Sequence, residues 1–447
     1  MRRKGLFSFG NTPAERSASR WLFLIGLGSS TQINIGGYTA ISELLLVLFM
    51  PIAMMKNWGV FSRDRCSTIL WLLIIWGFGQ LATDLMTGNY FAFMIRGLIP
   101  PVGIFATLIT VYPLLKRNPD GLKWLLLGTA ISGVISIFVF QHGSDIGTAA
   151  VQSGEMSAAE AVMGYKLFWV GKLNEWLALP VKGWYMAMPH ELNVAIAVFL
   201  AVFGLYSGGR SAFLVMAVSA LFLWFGGRSS RKMLWLKKNS PLLIMILIMM
   251  LPVVKYTYQY VASHGWMGED ELVKYEEQSK GKSGLETLMA GRSEFFIALT
   301  AIVDKPLMGH GSYALDTKGY LKDFVIKHGA TAEELKRIDK MEEMRGGART
   351  IPAHSHIACF WMWAGIAGLL PWLYILVLFW KTLFKRMHVY PPYYGYFALI
   401  IPGMFWAIFF SPFGSRINMA VLIAACLVVQ TMAREQRRMN GFMVKSW

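Results

Sequence analysis

Apolar and polar segments alternate along the whole chain. Eleven apolar stretches lie at 21–37, 39–55, 68–86, 91–115, 123–141, 191–206, 211–227, 240–262, 353–380, 393–412 and 416–433. An α-helix needs roughly 20 apolar residues to cross a hydrocarbon core of about 30 Å. The pattern therefore predicts an all-α polytopic membrane protein.

The polar intervals set the topology. Short basic clusters recur at Arg2, Arg3, Lys4, Arg16 and Arg20; at Lys56, Arg63 and Arg65; and at Lys116, Arg117 and Lys123. Three more follow at Arg228, Arg231, Lys232, Lys237 and Lys238; at Lys381, Lys385 and Arg386; and at Arg434, Arg437, Arg438 and Lys445. Lys and Arg collect in cytoplasmic loops, so these clusters mark the inside and place both termini there. Two inside termini require an even number of crossings, and eleven are read directly. The interval from Lys123 to Arg228 holds three stretches where every other interval holds two. A twelfth crossing is expected at 161–180, where Lys166, Lys172 and Glu175 interrupt an apolar run. The alternative is a re-entrant segment at 191–206 or 211–227.

The expected organisation is a cytoplasmic segment at 1–20, helices through 262 with an outer loop near 142–190, a large extracytoplasmic loop at 263–352, helices at 353–433 and a cytoplasmic tail at 434–447. The large loop holds 15 acidic and 13 basic residues, and it carries none of the cytoplasmic signature. Within it, Gly291 to Val303 reads as an amphipathic helix stopped at Lys305-Pro306. Thr331 to Met344 reads as a charged helix with a capping-box entry from Thr331 and Glu334. No internal repeat of 20 to 50 residues is visible.

Composition agrees. Hydrophobic residues make up 55% of the chain and charged residues 15%, against about a quarter charged in a soluble domain. A soluble globular enzyme is excluded. The 43 Lys and Arg against 26 Asp and Glu give +17, and the six basic clusters hold 23 of those 43. The excess is therefore mainly a topology signal and calls for no nucleic-acid partner. The three cysteines form no disulfide framework and no Cys-x-x-Cys pair. No small-x-small site follows the first apolar run, so a retained helix is expected there rather than a cleaved signal peptide.

Two groups of residues could carry chemistry. His354 and His356 sit where the large loop enters the apolar stretch from Cys359 to Trp380, which holds Gly365 and Gly368 in its first half. A histidine at that boundary can take a proton from an incoming hydroxyl near neutral pH; an interfacial anchor is the structural alternative. No Asp, Glu or Cys stands at ligand spacing to make a metal site, and His310 could join only from a distance. The second group is arginines at helix ends: Arg210 in Ser207-Gly208-Gly209-Arg210-Ser211, Arg292 after Gly291, and Arg416 after Ser415. Guanidinium groups bind phosphate oxygens in a fork, so converging arginines make a diphosphate clamp. Arg210 and Arg416 interrupt apolar surroundings, where an arginine is costly unless paired or wet. Arg96 reads equally well as a headgroup anchor. Lys280-Gly281-Lys282-Ser283 lacks the glycine of a phosphate loop, since Glu276 stands in its place.

Taken in order, these residues resemble the O-antigen ligase and polymerase family of bacterial polytopic membrane glycosyltransferases. The resemblance rests on Ser207 to Ser211, on Gly291-Arg292 through Pro306-Leu307-Met308-Gly309-His310-Gly311, on His354-Ser355-His356 before Gly365 and Gly368, and on Arg416. It covers roughly 190–435. It implies transfer of a glycan from an undecaprenyl diphosphate carrier to a lipid or glycan acceptor hydroxyl at the outer face of the inner membrane, among membrane lipids and without metal or nucleotide. It also implies a histidine base, His354 or His356, with Arg210, Arg292 and Arg416 holding the diphosphate. Two positions depart from the family pattern: Ser355 or Ile357 stands where an Asn often follows the histidine, and Trp363 where a Glu often precedes the helix glycine. The competing class is a transporter or flippase of lipid-linked saccharides. Such a protein is expected to carry ionisable groups in mid-span and related halves, which are not seen here.

Overall fold

The computed structural model describes residues 9–34, 38–138, 170–179, 190–206, 210–226, 293–327, 350–411 and 416–445, with a few isolated positions between them. The architecture is helical. In chain order it runs α1 (Pro13–Leu27), a hairpin of β1 (Gln32–Asn34) and β2 (Tyr38–Ala40), α2 (Ile41–Leu48), α3 (Met50–Lys56), α4 (Trp58–Arg63), α5 (Cys66–Met86), α6 (Phe91–Arg117) and α7 (Leu122–Phe138). Then follow α8 (His190–Tyr206), α9 (Arg210–Gly226), α10 (Ser293–Asp304), α11 (Tyr320–Lys327), α12 (His356–Ala364), α13 (Ile366–Lys381), α14 (Tyr394–Phe410) and α15 (Arg416–Lys445). The hairpin pairs antiparallel, with Ile33 opposite Thr39.

Among the described residues, five helical spans are long and apolar enough to cross a membrane: Cys66–Met86, Phe91–Arg117, Ile366–Arg386, Pro391–Phe410 and Arg416–Arg437. They match five of the expected stretches, and α8 and α9 are shorter apolar helices at two more. Three expectations change. The stretch at 21–37 is not one helix: α1 begins earlier, at Pro13 behind a Thr12–Glu15 capping box, and ends at Leu27, where Gly28 and two serines lead into the hairpin. The stretch at 39–55 is broken into α2 and α3, with Pro51 in the first turn of α3. The stretch at 353–380 is two helices, α12 and α13, parted at Gly365. The expected crossing at 161–180 lies mostly outside the described residues, as do the stretch at 240–262 and the helix at 331–344. Residues 170–177 are helical, and Ala178 packs on Gly395 of α14.

The main core runs through α5, α6, α13, α14 and α15, around Trp76, Tyr112, Trp372, Phe379 and Phe397. A second, smaller core belongs to the polar loop. Ile297, Ala301 and Ile302 of α10 pack with Ala314, Tyr320 and Ile351 on Ala358 and Met362 of α12. The loop is thus seated directly on the helix that begins at His356.

The break at Gly365 is built by that seating. Gly365 has φ 58° and ψ −145°, a region essentially confined to glycine. The loop from Leu307 to Gly311 lies in the gap. His310 and Gly311 donate their N–H groups to the carbonyls of Met362 and Trp363 at 2.7 and 3.0 Å, and Ile366 donates to the Leu307 carbonyl at 3.0 Å. These bonds satisfy backbone groups that a broken helix would leave bare within an apolar stretch. A Cβ on Gly365 would run into the Leu307 carbonyl. Gly365→Ala is therefore expected to destabilise the protein by at least about 1–3 kcal/mol, read as a lower unfolding midpoint in detergent.

Candidate active site at the loop and helix junction

Ser355 caps α12. Its hydroxyl accepts from the Ala358 N–H at 3.1 Å and donates to the Ile408 carbonyl at 3.0 Å, tying the helix start to α14. This N-cap sends the two flanking histidines to different environments. His354, before the cap, is 60% exposed, and its Nδ1 meets the Glu294 carboxylate of α10. His356, the first helical residue, is 4% exposed. Its ring packs 5.2 Å from Trp372 and 4.9 Å from Phe413, measured between centroids.

A cavity of about 260 Å³ opens at the junction, lined by Glu294, Tyr313, Cys359 and Trp363 and by the segment from Thr350 to His354. Its wall is held by an antiparallel bridge between Leu315 and Thr350 and by the Ile351 N–H, which donates to the Ala314 carbonyl at 2.8 Å. A carboxylate only accepts hydrogen bonds, so Glu294 selects the His354 tautomer with the proton on Nδ1 and leaves Nε2 as the basic nitrogen. The arrangement can accept a proton and stabilise the imidazolium that results.

The end of α5 grips the loop from the other side. Asp84 is fully buried and accepts from the Ser312 N–H at 2.5 Å, the Ser312 hydroxyl at 2.6 Å and Asn89 at 2.9 Å. Thr83 donates to the Met308 carbonyl at 2.6 Å. His310, in the same loop, sits with its Nε2 2.7 Å from the Ala301 carbonyl. Burial holds its pKa below the ordinary histidine range, against the opposing pull of that hydrogen bond. It is therefore a neutral clip between loop and α10.

The arginines are distributed unequally. Arg416 opens α15 and is bound in a fork by buried Glu43 of α2, with Nη2 to Oε2 at 2.9 Å and Nε to Oε1 closer still. Arg210 is the first residue of α9, but its side chain lies outside the described residues, and Arg292 lies outside them entirely. Of the expected clamp, only Arg416 is placed with its side chain. Among the described residues, no group of three His, Cys, Asp or Glu side chains converges as a metal site.

Sequence reading missed Glu43, Asp84, Glu294 and Tyr313. Glu43 had a signal, being a carboxylate inside an apolar run; Glu294 had none beyond its place two residues after Arg292.

Residues 195–373 match the family model described as O-antigen ligase. This segment is similar to an O-antigen ligase domain. It reaches from α8 into α13 and so includes Arg210, Arg292, the 307–311 loop, both histidines and the Gly365 break. Arg416 and Glu43 lie beyond the matched segment. Searches of curated proteins and of solved structures gave no match. The O-antigen ligase match, with the apolar helices around it, supports a multi-pass membrane protein of ligase or polymerase type, acting in polysaccharide biosynthesis.

Proposed function

We propose that the protein transfers a glycan from an undecaprenyl diphosphate carrier to an acceptor hydroxyl at the outer face of the bacterial inner membrane. The acceptor is either a lipid core or another lipid-linked glycan. In this reading His354 is the general base. The acceptor hydroxyl passes its proton to Nε2 as its oxygen bonds to the anomeric carbon, and the bond from that carbon to the carrier diphosphate breaks. Glu294 orients the imidazole and stabilises its protonated form. Arg416, with Arg210 and Arg292, balances the charge of the departing diphosphate. Glu43 holds Arg416 by its Nε and Nη2 edge and so fixes where the guanidinium stands.

The observation that carries this reading is the histidine and carboxylate pair at a cavity within the segment that matches O-antigen ligase. His356, enclosed by Trp372 and Phe413, has a packing role. The test is to supply the purified protein in proteoliposomes with a polyprenyl diphosphate glycan, with and without a lipid acceptor. A ladder of longer carrier-linked glycans without acceptor indicates a polymerase, and a single lipid-attached product indicates a ligase. Donor movement across the bilayer with no transfer would replace this reading with the flippase.

A further inference from the structure

One residue beside the cavity is held where only glycine sits comfortably. Tyr313 has φ 52°, the sole positive value at a non-glycine position among the described residues. An aromatic residue there is strained, and such strain concentrates at binding and catalytic sites. The turn that holds it is fixed by Asp84 through Ser312. Its ring packs against Phe93, 5.5 Å away by centroids, and Trp363, 4.6 Å away. Tyr313 thus packs against two aromatic rings, and it lines the cavity with His354 and Glu294. The polar group it brings to the site is its hydroxyl.

The helix face behind Tyr313 supplies a cation. Phe93, Arg96, Gly97, Pro100 and Gly103 follow one another at helical spacing along α6. The upper end of this face presses on the turn, since a Cβ on Gly97 would strike the Ser312 hydroxyl. The lower end presses on the ion pair, since a Cβ on Gly103 would strike the Glu43 carboxylate and lie 3.6 Å from Arg416 Cδ. Arg96 lies at the upper end of this strip, next to Gly97, and is exposed. Burial raises the Tyr313 pKa above its ordinary value, helped by Cys359 and opposed by Arg96 and Arg416. The hydroxyl thus stays protonated as a donor, and both arginines are electrostatically within its reach.

We infer that Arg96 and Tyr313 form an oxyanion-binding pair that holds a phosphate oxygen of the carrier diphosphate, next to the cavity where the acceptor is deprotonated. The inference rests on the proposed transfer reaction for its substrate. No proton moves at this pair: Tyr313 donates a hydrogen bond and Arg96 a charge-assisted one, both to the group that leaves when the anomeric bond breaks. The strip on α6 places them on the same side as Arg416.

The test uses glycan-free polyprenyl diphosphate as the probe, because it carries the diphosphate without the sugar. Its binding to the full-length protein is measured in phosphatidylcholine vesicles, with a parallel arm containing phosphatidylglycerol and no probe. Tyr313→Phe keeps the ring contacts and loses only the hydroxyl, and Arg96→Gln changes an exposed side chain. Arg96→Gln is expected to weaken probe binding about tenfold or more, and Tyr313→Phe about three- to tenfold. Binding equal to wild type in both variants would overturn the pair, as would an Arg96 effect seen only as lost phosphatidylglycerol association. Wild-type transfer with unchanged probe binding by the variants would refute this inference alone. Variants that bind the probe poorly, in a protein that transfers nothing to any acceptor, would keep the pair and refute the transfer reading.

Discussion

His354→Ala is expected to slow glycan transfer by about 10²–10⁴-fold, the range for loss of a positioned general base. At about 1.36 kcal/mol per tenfold, that is about 2.7–5.4 kcal/mol of transition-state stabilisation. The side chain is exposed and lies at the edge of the polar loop, so its removal should leave the fold and donor binding nearly unchanged. Glu294→Gln should give an intermediate loss, because the amide can keep the ring in place but no longer balances a protonated imidazole. His356 behaves oppositely. His356→Phe preserves an aromatic ring between Trp372 and Phe413 and should transfer within a few-fold of wild type, whereas His356→Ala opens a cavity in a packed cluster. Transfer rates normalised to folded protein, together with unfolding midpoints, separate these outcomes.

Glu43→Ala should be the most destabilising single change at the ion pair. Glu43 is 4% exposed and Arg416 is 14% exposed at the side chain, so removing the carboxylate takes the fork away from a largely buried guanidinium. Breaking one partner of such a pair costs about 3–5 kcal/mol. The pair also ties α2 to α15 across the glycine face of α6, so the damage should reach the packing of all three. Replacing both partners with methionine should recover most of the stability, since an apolar pair of similar volume is often neutral in place of a buried ion pair. That double variant should still transfer poorly if Arg416 holds the diphosphate. An unfolding midpoint for Glu43→Ala equal to wild type would show that Arg416 needs no counter-ion.

Much of the helical architecture was legible because it depends on local hydropathy. The stretches at 68–86, 91–115, 393–412 and 416–433 became α5, α6, α14 and α15, and the helix before Lys305-Pro306 became α10. The break at Gly365 was hidden, because residues 357–364 and 366–380 are apolar on both sides and the glycine reads as ordinary membrane-helix packing. The cause of the break is a loop some fifty positions earlier, and hydropathy carries no record of which backbone will dock into a gap. Gly309-His310-Gly311 was a weak turn signal for the same reason: its role lies in its partners. The histidine pair was legible as a pair, but the choice between its members depends on Ser355 acting as an N-cap, which turns one ring outward and the next inward. Arg416 stood out from apolar surroundings, and its partner Glu43 is an equally conspicuous charge far away in sequence. Nothing local joins them.

The most direct test of the account is the initial rate of glycan transfer by His354→Ala and by His356→Phe, measured side by side in the same proteoliposomes with saturating donor and acceptor. The account predicts that His354→Ala loses at least about a hundredfold while His356→Phe stays within a few-fold of wild type. Full activity in His354→Ala, or a collapse confined to a well-folded His356→Phe, would contradict it.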